Sequence, residues 1–250
     1  VRVPFARACR PFDFFQRFFD GPSPPILGGA TYCQMGGTGY AIHDMKAEIL
    51  AVLTGTVRPF RGDDEPSAIG KRPVAGLVAI GPLGLASDEQ ADRVHHGGID
   101  KAIHHYPADH YPFWRGEMGD VPLLAGPGAF GENISTSGLD EDSVFLGDRF
   151  RLGTALVEVS QARQPCWKLD HRFQTKGVMA RVVKTRRSGW YYRVLEPGRV
   201  QAGDGLTLVE RPYPEWPLSS LFALLIGGEA KHRPRDLRAL EHVPVLAETW

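Results

Sequence analysis

Ala155-Leu156-Val157-Glu158-Val159-Ser160-Gln161-Ala162-Arg163-Gln164-Pro165-Cys166-Trp167-Lys168 is the stretch from which both the fold and the candidate chemistry are read. Ala155, Val157 and Val159 alternate with Leu156, Glu158 and Ser160, the period of two expected of a strand with one buried face. Pro165 has no amide hydrogen to give to a β-ladder, so the strand is expected to stop before it. Cys166 then stands at the strand exit, flanked by Arg163 and Lys168. Nearby cations favour thiolate over thiol, and the thiolate is the form that binds metals and attacks electrophiles. The plain alternative is a buried structural cysteine.

Outward from this stretch, Val144 to Leu152 pairs with Thr154 to Gln161 as a hairpin turning at Gly153-Thr154. Further strands are expected at 48–53, continuing through Val57, at 74–85, at 99–106, at 190–195 and at 206–210, the last entered through the turn Gly203-Asp204-Gly205. Arg58 to Pro73 reads as a polar loop, and Asp88-Glu89-Gln90-Ala91-Asp92-Arg93 as a solvated one. Helices are expected at 107–118, opened by Pro107, and at 176–187, with Val178, Met179, Val182 and Val183 on its apolar face. Seven or so short strands at this turn density, with Gly 29 and Pro 20 in the chain, predict a mainly β fold, a closed or nearly closed β-barrel with a few peripheral helices. There is no alternating β-α-β rhythm, which excludes a Rossmann layout.

The chain of 250 residues is long enough for one large domain with an appendage. Lysine plus arginine and aspartate plus glutamate are equal at 29 each, so charge gives no argument for a nucleic-acid or membrane partner. No apolar run approaches the roughly 18 residues of a membrane-spanning helix. Cys9, Cys33 and Cys166 have neither metal-ligand nor redox-motif spacing, which excludes a disulfide scaffold and points to a reducing cytoplasm.

Residues 1–44 differ from the rest. They hold no lysine or glutamate, and six of the 13 phenylalanines: Phe5, Phe12, Phe14, Phe15, Phe18 and Phe19. Arginines at 2, 7, 10 and 17 interrupt any signal-peptide core. The reading is that Met45 is the native start and that 1–44 is a poorly ordered upstream extension; the alternative is an arm packing its phenylalanines on the domain. The barrel is then expected over 45–213 and a helical region over 214–250. In that tail Leu218, Leu221, Phe222 and Leu225 fall at helical spacing, Pro234 opens a second helix, and Val243 to Trp250 makes a third. So small an appendage must pack on the barrel or on a second subunit, so a homodimer is one of two open outcomes.

Four histidines lie at 95, 96, 104 and 105. Adjacent residues on a strand point to opposite faces, so at most one of each pair could converge on a metal. The better reading is that His96 or His104 donates hydrogen bonds to an anionic ligand, and either could pair with Cys166 in nucleophilic catalysis. Gly97-Gly98 permits close backbone approach, and its amides could hold phosphate beside Lys101; the commoner reading is a turn. Gly131-Glu132-Asn133 offers a tight backbone and an amide able to read a heterocycle edge, against the plainer reading of an Asn satisfied by backbone.

Taken in order, Arg93-Val94-His95-His96-Gly97-Gly98-Ile99-Asp100-Lys101-Ala102, Phe130-Gly131-Glu132-Asn133-Ile134, Gly147-Asp148-Arg149-Phe150 and Val159-Ser160-Gln161-Ala162-Arg163-Gln164-Pro165-Cys166-Trp167-Lys168-Leu169 make the chain resemble the MOSC-domain family, named for the C-terminal domain of molybdenum-cofactor sulfurase, and most closely its YiiM-like branch. The resemblance covers about residues 48–213, and the tail resembles that branch's three-helix appendage. Two departures are Ala162, where the family usually has proline, and Ala86-Ser87-Asp88, where Gly-Asp is common.

The resemblance implies a barrel that binds the molybdenum cofactor, with Cys166 as the thiolate ligand to the metal and His96, Gly97, Gly98, Lys101, His104, Gly131, Asn133, Arg163 and Lys168 around the pterin and its phosphate. It implies reduction of N-hydroxylated compounds such as hydroxylaminopurines and hydroxylamines, a detoxifying activity. The electrons would come from a separate flavin or iron–sulfur protein, since the chain lacks four cysteines and a flavin fingerprint; pyridoxal phosphate is not expected. Two rival functions are a sulfur carrier or sulfurtransferase holding a persulfide on Cys166, and a non-catalytic cofactor-binding module.

Overall fold

Seven strands close on themselves: β1 (Lys46–Thr54), β2 (Ile103–His105), β3 (Ile134–Thr136), β4 (Arg149–Leu152), β5 (Ala155–Ala162), β6 (Trp190–Glu196) and β7 (Gly205–Glu210). The computed structural model describes residues 45–61, 65–92, 96–247 and 250; the expected N-terminal extension, His95 and the loop tip at 62–64 lie outside them. Around the barrel the order is β1-β7-β4-β5-β6-β2-β3, returning to β1. All neighbours are antiparallel except β2 and β3, which meet in parallel through His105 and Ile134. Closure gives each barrel strand two partners and removes the exposed edges that an open sheet leaves.

The alternation in β1 is read out at its start, with Ala47 and Ile49 buried between exposed neighbours, and gives way to full burial from Ala51 to Leu53. In β5 it holds only at the start, because every residue from Val157 to Ala162 is buried. Glu158 is covered yet accepts from Arg149 Nε and Arg193 Nη1, each at 2.9 Å. The pairing of β5 with β6 shifts register between Val159 and Gln161, a bulge at Ser160. Ser160 is turned to donate to the Asp100 carbonyl at 2.5 Å, and its own carbonyl accepts from Ala247. The expected half-buried strand is therefore wrapped on both faces at its C-terminal end.

Other expectations shift. β1 stops at Thr54 instead of continuing through Val57, because the Gly55 and Val57 amides turn away to Asp88 and Glu89. Residues 99–101 form a 3-10 turn, so the strand carrying the second histidine pair starts only at Ile103. The loop from 58 to 73 contains short ladders: Arg58–Pro59 pairs with Pro66–Ser67, and Arg72–Pro73 pairs with the end of β1.

Helix α1 (Tyr111–Met118) carries Pro112 in its first turn, where no intrahelical amide bond is lost. A short helix absent from the sequence reading, α2 (Lys168–Arg172), follows Cys166 directly, and α3 (Val178–Thr185) buries Val178, Val182 and Val183. These three helices share a second core beside the barrel, in which Tyr106 and Phe130 stack with centroids 4.3 Å apart.

The tail has two α-helices, α4 (Leu218–Leu225) and α5 (Pro234–Leu240), joined by a 3-10 turn at Glu229–His232. The expected third helix is not formed: residues 243–247 are turns and bends, and 248–249 lie outside the described residues. Leu218, Leu221, Phe222, Ala223 and Leu224 are buried within the chain, and the Leu218 amide bonds the Val144 carbonyl. Leu221 and Phe222 are thus already covered without a second subunit. Among the described residues no helix is long and apolar enough to cross a membrane.

Candidate active site

The Cys166 thiol sits where β5 leaves the barrel wall and α2 begins. Arg163 still pairs with the barrel through its amide to Gly189, at 2.9 Å, and Pro165 then ends the ladder. The Cys166 carbonyl accepts from Leu169 as the first bond of the helix. The turn between them faces an open cleft. Its walls come from the 67–71 segment, the 88–92 loop, β2, the Phe130–Asn133 turn and the 163–168 turn.

Burial alone would push the Cys166 thiol up, but a hydrogen bond from His96, the Arg163 charge and the Lys168 backbone amide outweigh it, and the thiol lies below its ordinary value. Lys168 acts on the sulfur through its amide and not, as expected from the sequence, through its charge. His96 is in turn oriented by Asp92, whose Oδ2 lies 3.0 Å from His96 Nδ1. Of the two candidate histidine partners, His96 is the one that reaches the sulfur.

Eight of the ten residues singled out from sequence line this one cleft: His96, Lys101, His104, Gly131, Asn133, Arg163, Cys166 and Lys168. Gly97 and Gly98 do not. The Gly98 amide donates to Gln90 Oε1 at 3.0 Å, and a Cβ on Gly97 would stand 2.5 Å from that same oxygen. The diglycine lets the backbone pass close over Gln90, and the Gly98 amide is spent there instead of being offered to a phosphate. Asn133 is likewise committed. Its Nδ2 donates to the Leu53 carbonyl at 3.1 Å and to Asp88 Oδ2 at 2.9 Å, and its Oδ1 accepts from the His104 amide at 3.0 Å. It pins β1, β2 and the 88–92 loop together, so it is satisfied within the chain, though by partners distant in sequence and not by its own backbone.

His104 and Arg163 are in the opposite condition. Both are buried, and among the described residues His104 Nε2 and Arg163 Nη1 make no well-formed hydrogen bond, although the Gly131 and Ser188 carbonyls stand beside the His104 ring. Buried polar groups are normally satisfied, so the Arg163 Nη1 donor is the more open of the two. Burial and the Arg163 charge hold the His104 imidazole well below its usual range, so it is neutral. Burial lowers Lys101, partly offset by Asp92 and Asp100.

The 88–92 loop is the largest miss of the sequence reading. It is no solvated loop: Asp88 Oδ1 accepts from the Gly55 amide at 2.8 Å, Glu89 Oε2 from the Val57 amide at 2.5 Å, Gln90 from Gly98, and Asp92 holds His96. Lys71 and Tyr191, also absent from the sequence list, complete the floor; Lys71 Nζ donates to Asp88 Oδ2. A charged run spaced like a solvated one gives no local sign of partners more than 30 residues away. The one available signal was Asp88 itself, standing at the aspartate of the family's Gly-Asp pair.

Among the described residues no group of three or more His, Cys, Asp or Glu side chains converges to hold a metal ion. A metal in this cleft would have one protein sulfur and would bring its remaining ligands with it, which suits a metal already chelated by an organic dithiolene.

A family model for the MOSC domain matches residues 92–207. The chain is 44% identical over 160 residues to protein YiiM of Escherichia coli, a match covering 64% of this chain and 71% of that protein. It is 42% identical over 170 residues to a reductase of Gibberella moniliformis, covering 67% of this chain but 30% of that longer protein. In structure it is similar to YiiM from Geobacillus stearothermophilus, with a TM-score of 0.69 and 33% identity over 82% of this chain and 95% of that one.

Proposed function

Because this chain belongs to the MOSC-domain family, on its YiiM-like side, we propose that it is an oxidoreductase that binds the molybdenum cofactor through Cys166 and reduces N-hydroxylated substrates, hydroxylaminopurines and hydroxylamines among them. The observation that carries this reading is the Cys166 sulfur, held toward the thiolate by His96, Arg163 and the Lys168 amide at the wall of an open cleft.

The residues present fit the group. The soft thiolate is the ligand type molybdenum takes, and Arg163 offers a buried, unsatisfied donor beside it. Arg163, Lys101 and Lys168 would hold the pterin phosphate. The bound group would supply two-electron chemistry; the chain's own residues bind, orient and move protons. The electrons would come from a separate flavin or iron–sulfur protein in the cytoplasm. The relative named as a reductase supports the oxidoreductase class, and most of that protein's length lies outside the match.

Asp92, His96 and Cys166 in a chain also favour a second reading, a sulfur carrier with a persulfide on Cys166. The test is reduction of an N-hydroxylaminopurine to the aminopurine by cofactor-loaded protein with a low-potential chemical reductant. Turnover lost in Cys166→Ser is the expected result. A loaded protein without turnover, carrying a persulfide on Cys166, would favour the second reading.

A further inference from the structure

Lys71 has no role in the reading above, yet it lines the cleft in a fixed position. Its ammonium is nearly buried and donates to Asp88. Asp88 is itself immobilised by the Gly55 amide at 2.8 Å and Asn133 Nδ2 at 2.9 Å, with Asn133 tied to β1 and β2. The backbone on either side is fixed as well: the Lys71 amide bonds the Ile69 carbonyl at 2.9 Å, and Arg72–Pro73 pairs with β1. An ammonium has three protons, and the carboxylate takes one of them. The side chain lines the same cleft as Arg163, Cys166 and Lys168.

This inference rests on the proposed function, which has a chemical need the cofactor does not meet. Reduction of R–NH–OH to R–NH2 and water breaks the N–O bond, consumes two electrons from the separate donor protein and takes up two protons. The departing oxygen needs one of those protons as the bond breaks. Among the other groups of the cleft, Lys101 and Lys168 would be held by the phosphate, and the rest are poor sources. The Arg163 guanidinium does not release a proton. Burial keeps His104 neutral and pushes the Tyr191 hydroxyl up. Asp88 is a carboxylate accepting from three donors, and His96 is engaged with Cys166 and Asp92.

We propose that Lys71 is the proton donor to the departing oxygen of the N-hydroxyl group, and that Asp88 fixes the ammonium in place for that transfer. The proton passes from Nζ to the oxygen, which leaves as water; the second proton comes from solvent to the nitrogen, and solvent reprotonates Lys71. Burial lowers the Lys71 value and Asp88 partly restores it, which leaves an ammonium readier to give up its proton than an exposed one. The titratable groups facing it are Asp88 on the 88–92 loop, Glu132 before β3 and His104 on β2.

The experiment compares cofactor-loaded wild type, Lys71→Arg and Lys71→Gln for molybdenum content, kcat and KM on an N-hydroxylaminopurine across pH. Lys71→Arg keeps a cation beside Asp88 that does not give up its proton. The expected result is unchanged molybdenum, KM within about threefold, kcat lower by about 100-fold in both variants, and loss in both of the alkaline fall in kcat that wild type shows as Lys71 deprotonates. Lys71→Arg with wild-type kcat, an alkaline limb that persists in it, or loss of molybdenum from both variants would overturn the inference and make Lys71 a scaffold. Loaded wild type that reduces no N-hydroxylated compound would instead remove the proposed function, and this inference with it.

Discussion

His104 and His105 are consecutive residues of β2, and the protein treats them oppositely. His105 points into the barrel, where Nδ1 meets the Tyr192 hydroxyl at 3.0 Å, Nε2 meets Thr136 Oγ1 at 2.9 Å and the ring packs 4.3 Å from Trp190. His104 lines the cleft between Arg163 and Tyr191, with the Gly131 and Ser188 carbonyls beside its ring and, among the described residues, no well-formed hydrogen bond at Nε2. The inward histidine is a structural part with both nitrogens satisfied. The outward one leaves binding capacity unspent. One strand thus separates a face built for stability from a face that gives some of it up, as binding sites commonly do.

The largest expected effect lies on the inward side. Burial pushes His105 down to about 3 from an ordinary 6.5. Between those values the unfolded chain binds a proton that the native state refuses, so stability falls as pH falls from about 6.5 toward 3, by about 5 kcal/mol over the whole window. Urea unfolding measured from pH 7 down to pH 4 should show this, and His105→Gln should flatten the slope by close to one proton.

Next in size is Gly189→Ala. Gly189 has φ +71°, and a Cβ there would stand 2.2 Å from the His105 carbonyl and 3.1 Å from His104 Nε2. The expected loss is on the order of 4 kcal/mol, read by thermal or urea unfolding.

Asp88→Asn leaves Lys71 without its carboxylate and is expected to cost about 3 kcal/mol. That result would put a structural burden on the cleft face as well, and a cost near zero would break the link between Asp88 and the fold. The smallest effect sharpens the contrast most. His104→Phe should change stability by about 1 kcal/mol, whereas His105→Phe should cost about 3, because it strands the Tyr192 and Thr136 hydroxyls. Equal losses at the two positions would contradict the division.

Much of this was legible in the sequence. Apolar runs and turn residues located six of the seven barrel strands, two of them with starts several residues too early, and the rule that neighbours on a strand face opposite ways anticipated the split between His104 and His105. Cys166 was found from Pro165 and the strand before it. What escaped depended on contacts distant in sequence. The bulge at Ser160 arises from pairing with β6 and from the Asp100 carbonyl. Lys71, lying in a stretch read as polar loop, gains its meaning from Asp88 seventeen residues on. Gly97 and Gly98 suggested phosphate by composition, but Gln90 takes the space and the amide.

The account turns on whether the Cys166 sulfur binds molybdenum. The most direct measurement is molybdenum per chain in wild type and in Cys166→Ser, both purified from a host that makes the cofactor, with folding checked by unfolding temperature. The account predicts close to one molybdenum per wild-type chain and less than about a tenth of that in a folded Cys166→Ser. Equal molybdenum in the two proteins, or none in wild type from a host that loads another protein of this family, would contradict it.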